Sequence, residues 1–184
     1  SSHIDNLCDF ATSLAQFLIA LQRIDSTGGP PPGLHSFYRG GPLMIYDAEV
    51  RQAIAILKGK IDVDAATKVW ETALATTWQN SPVWVHGDIS AGNLLVQKGE
   101  LSAVIDFGQL TVGDPACDLA IAWTFFKGKS REVFRKMLPL DDGTWDRGRG
   151  WTLWKALIIA AGLTNVIVSE VEQCSRIIDE VLQI

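Results

Sequence analysis

Between Asn6 and Ile24 the apolar residues Leu7, Phe10, Leu14, Phe17, Leu18 and Leu21 recur at intervals of three and four. That is the spacing of one face of an amphipathic helix, with Asp5 as its expected N-cap. The pattern then stops. Asp25 to Pro42 carries five glycines and four prolines, among them Pro30-Pro31-Pro32, too many breakers for a regular element, and is expected to be a long surface loop. Helical spacing returns around Asp47 to Lys58, with Val50, Ile54 and Leu57 inward, and around Asp64 to Trp78, with Val69, Ala73 and Leu74 inward.

The period changes next. Val83-Trp84-Val85, Leu94-Leu95-Val96 and Ala103-Val104-Ile105 are short β-prone runs, and Gln97-Lys98-Gly99-Glu100 between the last two has the chemistry of a hairpin turn. Beyond them helices are expected over Pro115 to Phe126, Arg131 to Leu138, Thr144 to Gly162 and Glu170 to Leu182. The pattern predicts a mainly helical α+β chain with one small β region. No internal repeat or shift of composition marks a second domain among the 184 residues.

Composition narrows the functional classes. Asp and Glu (21) outnumber Lys and Arg (16), for a formal charge of -5, whereas a nucleic-acid binder normally carries a basic stripe to neutralise phosphates. A cationic small molecule suits the chain better. Cys8, Cys117 and Cys174 have no ligand-like spacing and cannot all pair, so neither a structural zinc nor a disulfide framework is indicated, in keeping with a reducing, cytoplasmic setting. The longest uncharged apolar stretch, Ala156 to Ser169, contains Gly162, Thr164 and Asn165 and falls short of the ~20 residues of a spanning helix. No membrane association is expected, and no basic-then-apolar leader opens the chain.

The chemistry concentrates in His86-Gly87-Asp88-Ile89-Ser90-Ala91-Gly92-Asn93 and, after the hairpin, Ile105-Asp106-Phe107-Gly108. Polar groups that are costly to bury lie between short apolar strands, a local conflict that points to a site. Asp88 and Asn93 are five apart on one loop, and Asp106 arrives from the end of the adjacent strand. Carboxylates and an amide oxygen are hard ligands of the kind that hold Mg²⁺ together with substrate phosphates. The spacing matches the kinase pattern of a base Asp, a metal-binding Asn five later and a metal-binding Asp before Phe-Gly.

These two segments, with Gly113-Asp114-Pro115-Ala116-Cys117-Asp118-Leu119-Ala120, resemble the aminoglycoside phosphotransferase family of small-molecule kinases, a family tied to antibiotic resistance. The resemblance implies the C-terminal lobe of a protein-kinase-like fold over residues 1–184, with a short β-hairpin under the catalytic loop. It further implies transfer of the γ-phosphoryl group of ATP, or GTP, to a hydroxyl of a small, aminoglycoside-like acceptor. By position Asp88 is the catalytic base, and Asn93 and Asp106 hold Mg²⁺ and the nucleotide. His86 is grouped with Asp88 and braces the loop. Asp118 is expected to bond loop backbone, and Asp114 to serve the loop or the substrate rim. Trp151 is a candidate for lining the acceptor pocket by stacking.

The chain departs from that family at its start. No glycine-rich phosphate loop or early β-rich segment with a phosphate-pairing Lys precedes the first helix, so the nucleotide-binding lobe is expected to be missing and the isolated chain inactive. Gly128-Lys129-Ser130 imitates the end of a P-loop, but the position that needs glycine is Trp123. A protein kinase fits less well, since Gly87 replaces the catalytic-loop Arg and no Ala-Pro-Glu follows Gly108. The alternatives are a kinase for choline, homoserine, a macrolide or a sugar, or a non-catalytic binding lobe.

Overall fold

A computed structural model of the chain describes residues 4–164 and 168–183. Asn165, within the apolar stretch noted above, lies outside them. The residues divide into two compact units, each discontinuous in sequence. One is built from residues up to 41 and 79–141, the other from 42–78 and 142 onward. Because each unit draws on two separate stretches, composition along the chain carries no trace of the division.

The first unit starts with α1 (Leu7–Gln22). Its N-cap is Asn6 and not Asp5: the Asn6 side chain accepts from the amides of Cys8 and Asp9. Asp5 instead lies against the hairpin turn, its amide donating to the carbonyl of Gly99. Phe10, Leu14, Leu18 and Leu21 are buried as the periodicity requires, with Ala11 and Ala15 between them. Each fully buried Leu contributes about 1.5–3 kcal/mol. This face packs against α5 (Gly128–Met137) and touches β1 (Val83–Val85).

Two antiparallel pairs make up the β structure. The expected hairpin is β2 (Leu94–Gln97) with β3 (Glu100–Val104), pairing Leu94 with Val104 and Leu95 with Ala103, and a bulge follows Leu95. Lys98 and Gly99 both take positive φ in its turn. The second pair is β1 with β4 (Thr111–Gly113), Val83 opposite Gly113 and Val85 opposite Thr111. In sequence β4 is three residues beside an Asp-Pro, too short to register as a strand. Ile105, read as strand, lies beyond the end of β3 and is exposed. Pro115 to Phe126 is not one helix but a 3-10 turn over Pro115–Ala120 followed by α4 (Ile121–Thr124). Arg131 closes that helix, its Nε donating to the carbonyl of Ala122 at 2.6 Å and its Nη2 to that of Phe126 at 3.0 Å.

The segment 25–42 lacks regular structure apart from a turn at Leu34–Ser36, yet it is tied down along its length. Trp84 Nε1 donates to the carbonyl of Asp25, and Ser26 to that of Pro82. The carbonyl of Pro30 accepts from the Val112 amide (2.8 Å) and from the buried Thr111 hydroxyl (2.9 Å), while the carbonyl of Gly40 accepts from the Asp114 amide at 2.8 Å. The prolines leave carbonyls without competing amides, so the segment acts as a strap along β4. A side chain at Gly113 would put its Cβ 2.2 Å from the Gly40 oxygen, so only glycine lets the two backbones meet.

In the second unit, α2 (Asp47–Ile56), α3 (Val63–Leu74) and α7 (Val168–Leu182) pack against the long α6 (Asp142–Ala160). Val50, Ile54, Leu57, Val69 and Ala73 are buried as read from the sequence. So is Trp70, whose Nε1 donates to Asp47 Oδ1 at 2.8 Å. The Arg51 side chain on the same carboxylate, with the Trp70 bond behind it, holds Asp47 below the usual carboxylate range. Buried Arg147 donates to the hydroxyls of Thr76 and Thr144, and Arg149 Nε donates to the carbonyl of Val181 at the end of α7, 2.7 Å away. No helix of the described residues is long and apolar enough to cross a membrane.

The strap contact gives a direct test. Gly113→Ala forces two backbones apart and is expected to destabilise the protein by about 1–3 kcal/mol, read as a lowered urea midpoint; an unchanged midpoint would mean that the strap is not held at this point.

Candidate active site

The site is assembled entirely within the first unit. Strand β1 ends at Val85, which is fully buried, and the chain turns through His86 and Gly87. Both amides point at one carboxylate: Asp118 Oδ2 accepts from His86 N at 2.9 Å and Oδ1 from Gly87 N at 2.8 Å. Asp118 is 1% exposed and comes from the 3-10 turn after β4. Gly87 has φ +84°, and its α-carbon lies so close to the carbonyl of Gln109 that a Cβ would stand 2.7 Å from that oxygen. The left-handed turn and the close approach both require glycine there.

His86 has no exposed surface, and both ring nitrogens are used. Nδ1 accepts from the Asp88 amide at 3.2 Å, and Nε2 lies 3.0 Å from the carbonyl of Ile105. The neutral tautomer with its proton on Nε2 satisfies both bonds. The ring also packs against Phe107, centroid to centroid 4.7 Å, and Phe107 meets Phe17 of α1 edge-on. His86 thus joins the loop that carries Asp88 to the residue before Asp106. It braces the loop from within without reaching solvent.

Asp88 is half-buried, and Asn93 meets it directly. Asn93 Nδ2 donates to the Asp88 carbonyl at 2.9 Å and to Asp88 Oδ2 at 3.1 Å. Its carbonyl oxygen Oδ1 is therefore the atom left to offer a cation. The Asn93 backbone oxygen accepts from the Ile105 amide at 2.9 Å, which extends the β2–β3 pairing by one step. Asn93 and Asp106 thereby stand at the same end of the hairpin. Asp106 is exposed, with φ +65°, a conformation that costs a non-glycine residue and that Asp tolerates better than most. Its Oδ1 accepts only a long bond, 3.4 Å, from the Gly108 amide.

Two protein oxygens, one amide and one carboxylate, do not enclose a metal. Among the described residues no group of three or more His, Cys, Asp or Glu could hold one. Such an open pair fits Mg²⁺, which keeps waters and takes its remaining ligands from substrate phosphates, and does not fit a closed zinc or calcium site.

The remaining sequence candidates fall elsewhere. Asp114 caps the 3-10 turn, its Oδ1 accepting from the Ala116 amide at 3.0 Å, and it is 8% exposed. Trp151 belongs to the second unit, where it is 3% exposed beside Tyr46 and Trp154. Its Nε1 has no hydrogen-bond partner among the described residues, while Trp154 Nε1 donates to Glu49 at 2.6 Å. The free Cys117 is buried, and burial, with the charge of Asp118, pushes its thiol well above the usual range, so it stays protonated.

Three neighbours were not singled out in the sequence. Leu95, Ile105 and Phe107 flank Asn93 and Asp106 and are 46%, 39% and 43% exposed. Each sits one or two residues from a polar member of the site, and that adjacency was the signal available. Arg39, from the strap, donates through Nη1 to Gln109 Oε1, three residues past Asp106. Nothing in its local sequence announces the contact.

Burial raises the Asp118 carboxyl from its ordinary 3.8 to about 6, with His86, the two amide donors and Arg39 opposing the rise. The protonated form is thus favoured by folding. Its stabilisation is complete below pH 3.8 and is lost as pH rises through about 6. Urea unfolding of wild type against Asp118→Asn between pH 4 and pH 7 should show wild type losing ground over that window; parallel curves would refute the assignment.

The sequence profile of the phosphotransferase enzyme family matches residues 3–151. An aminoglycoside 3'-phosphotransferase of Escherichia coli is 34% identical over 79 residues, covering 38% of this chain and 29% of that protein. The aminoglycoside phosphotransferase APH(2'')-IIa, solved as a ternary complex with streptomycin and ATP, superposes with a TM-score of 0.54 at 21% identity, over 97% of this chain and 62% of that one. The macrolide 2'-phosphotransferase MphH of Brachybacterium faecium gives 0.53 at 22% identity, over 97% and 64%. The chain therefore spans less than two thirds of the length of these relatives, and its fold is the mainly helical part of a kinase-like fold with its small antiparallel pairs.

Proposed function

Since the chain belongs to the phosphotransferase enzyme family, we propose that it is the C-terminal catalytic lobe of an ATP- and Mg²⁺-dependent kinase acting on a hydroxyl of a small, aminoglycoside-like molecule. The nucleotide-binding lobe is then supplied by sequence outside residues 1–184, and this stretch alone is expected to turn over negligibly. The observation that carries the reading is the hydrogen bond from Asn93 to Asp88 at the end of the hairpin where Asp106 emerges, 3.1 Å long.

In this reading Asp88 Oδ1, which takes no bond among the described residues, accepts the proton of the acceptor hydroxyl. The acceptor oxygen forms its bond to the γ-phosphorus as the bridging bond to the β-phosphate breaks, and ADP leaves. Asn93 Oδ1 and the Asp106 carboxylate hold Mg²⁺, which when bound neutralises charge on the phosphates. Asn93 has a double task, since the same side chain fixes the base through Nδ2. Leu95 and Ile105, exposed beside these groups, offer apolar surface to the nucleotide. His86 and Asp118 keep the loop in place; they do not touch the reacting atoms. Positioning and charge neutralisation are the larger part of catalysis in phosphoryl transfer.

The net charge of -5 favours a cationic acceptor and a polyamine sugar over a neutral one. Macrolides, choline, homoserine and simple sugars are the competing acceptors.

The test is ADP release by the full-length protein with Mg²⁺ against that panel. Acceptor-dependent release should fall by about 100-fold or more in Asp88→Asn, while Asp106→Ala should lose Mg²⁺-dependent nucleotide binding. Release that survives Asp88→Asn would overturn the assignment of the base.

A further inference from the structure

Asp118 holds the first two amides of the catalytic loop, and the geometry limits what can hold Asp118 in turn. The carboxylate is 1% exposed, so solvent does not stabilise its charge. Two amide donors reach it. The ionisable neighbours on its own turn are Asp114, an acid, and Cys117, a buried thiol. From the end of β1 it faces His86, which acts against the effect of burial. From the strap it feels the guanidinium of Arg39. Of the two groups that act on Asp118 with positive charge, His86 has the larger effect, and Arg39 is the one that keeps its charge at every pH.

Arg39 is held in place by a specific tether. Its Nη1 donates to Gln109 Oε1, and the backbone carbonyl of that same Gln109 abuts Gly87. On the strap side Gly40, the next residue, is fixed by the bond from the Asp114 amide, and Arg39 also lies 5.9 Å from the Phe37 ring centre. Phe37 and Tyr38 both take positive φ, 47° and 53°. Two successive aromatic residues in that region represent local strain that the surrounding bonds must offset. These two residues lead directly into Arg39.

We propose that Arg39 is a positioning residue for phosphoryl transfer, holding the catalytic loop through Gln109 on one side and through the charge of Asp118 on the other. The proposal rests on the kinase reading for its consequence, but its physical content can be measured without turnover. Removing the positive charge makes Asp118 easier to protonate, and a protonated carboxyl cannot accept from both amides with charged-acceptor strength. The loop carrying Asp88 then loosens at a higher pH than in wild type.

The experiment follows the Gly87 amide by NMR in the full-length protein, labelled at glycine, as pH is varied. In wild type its shift should report the Asp118 ionisation, with a midpoint near the value of about 6 given above. In Arg39→Gln the midpoint should rise, and in Arg39→Lys it should stay near wild type. Gln109→Leu, which frees the guanidinium without removing it, should raise the midpoint by less. This variant serves if Arg39→Gln does not fold. An unmoved midpoint in Arg39→Gln, or in Gln109→Leu when it is the variant that folds, overturns the proposal, as does an equal rise in Arg39→Lys. Where an acceptor is known, the acid limb of kcat/KM should move with the same midpoint in each variant. A limb that stays fixed while the amide midpoint moves would overturn the positioning role. Absence of ADP release with every acceptor, alongside a shifted Gly87 midpoint, would count against the kinase reading alone.

Discussion

One buried carboxylate governs the geometry of the first unit. Asp118 accepts from the amides of His86 and Gly87 at once, and without it two consecutive donors at the start of the loop would be buried with no partner. Such a vacancy costs more than either bond contributes. The arrangement explains why β1 can stop at Val85 and reverse direction in two residues. It also explains why Gly87 is needed, since a loop pulled this tightly passes against Gln109 with no room for a side chain. From that fixed start His86 reaches to Ile105, Asn93 reaches back to Asp88, and the hairpin closes the circuit.

The fold divides rigid support from exposed chemistry. His86 and Asp118 are buried and fully bonded, whereas Asp106 is exposed, left-handed and weakly bonded, and Asp88 keeps one oxygen free of bonds within the described chain. The groups that would meet a substrate are those whose hydrogen-bonding capacity the protein does not exhaust. The strap plays the complementary part. Pro30 contributes the carbonyl that β4 needs and no amide that would need a partner of its own.

Much of this was legible in the sequence where side-chain pattern and spacing carry the information. The buried faces of α1, α2 and α3 follow from three-and-four spacing, and the hairpin follows from Lys98-Gly99 between two apolar runs. The grouping of Asp88, Asn93 and Asp106 followed from their order and intervals. What escaped was decided by backbone geometry or by distant residues. Strand β4 exists because β1 and Pro30 offer it partners. Asn6 displaced Asp5 as the cap because Asp5 is drawn to Gly99 in the hairpin turn. The break of Pro115–Phe126 into a 3-10 turn places Asp118 under the loop, and no periodicity encodes that requirement. The tie from Arg39 to Gln109 spans 70 residues of sequence, beyond the reach of any local pattern.

The strap also bears on how the chain comes to be folded. Thr111 bonds a carbonyl 81 residues before it, and α1 finds its packing partner in α5, about a hundred residues downstream. During synthesis the apolar face of α1 emerges well before α5 and waits while the whole of residues 42–78, which belong to the other unit, leaves the ribosome. Contacts of such separation close slowly, and exposed apolar surface in the interval is prone to wrong association. The same long-range ties that fix the loop after β1 therefore leave the apolar face of α1 without its cover until α5 has been made.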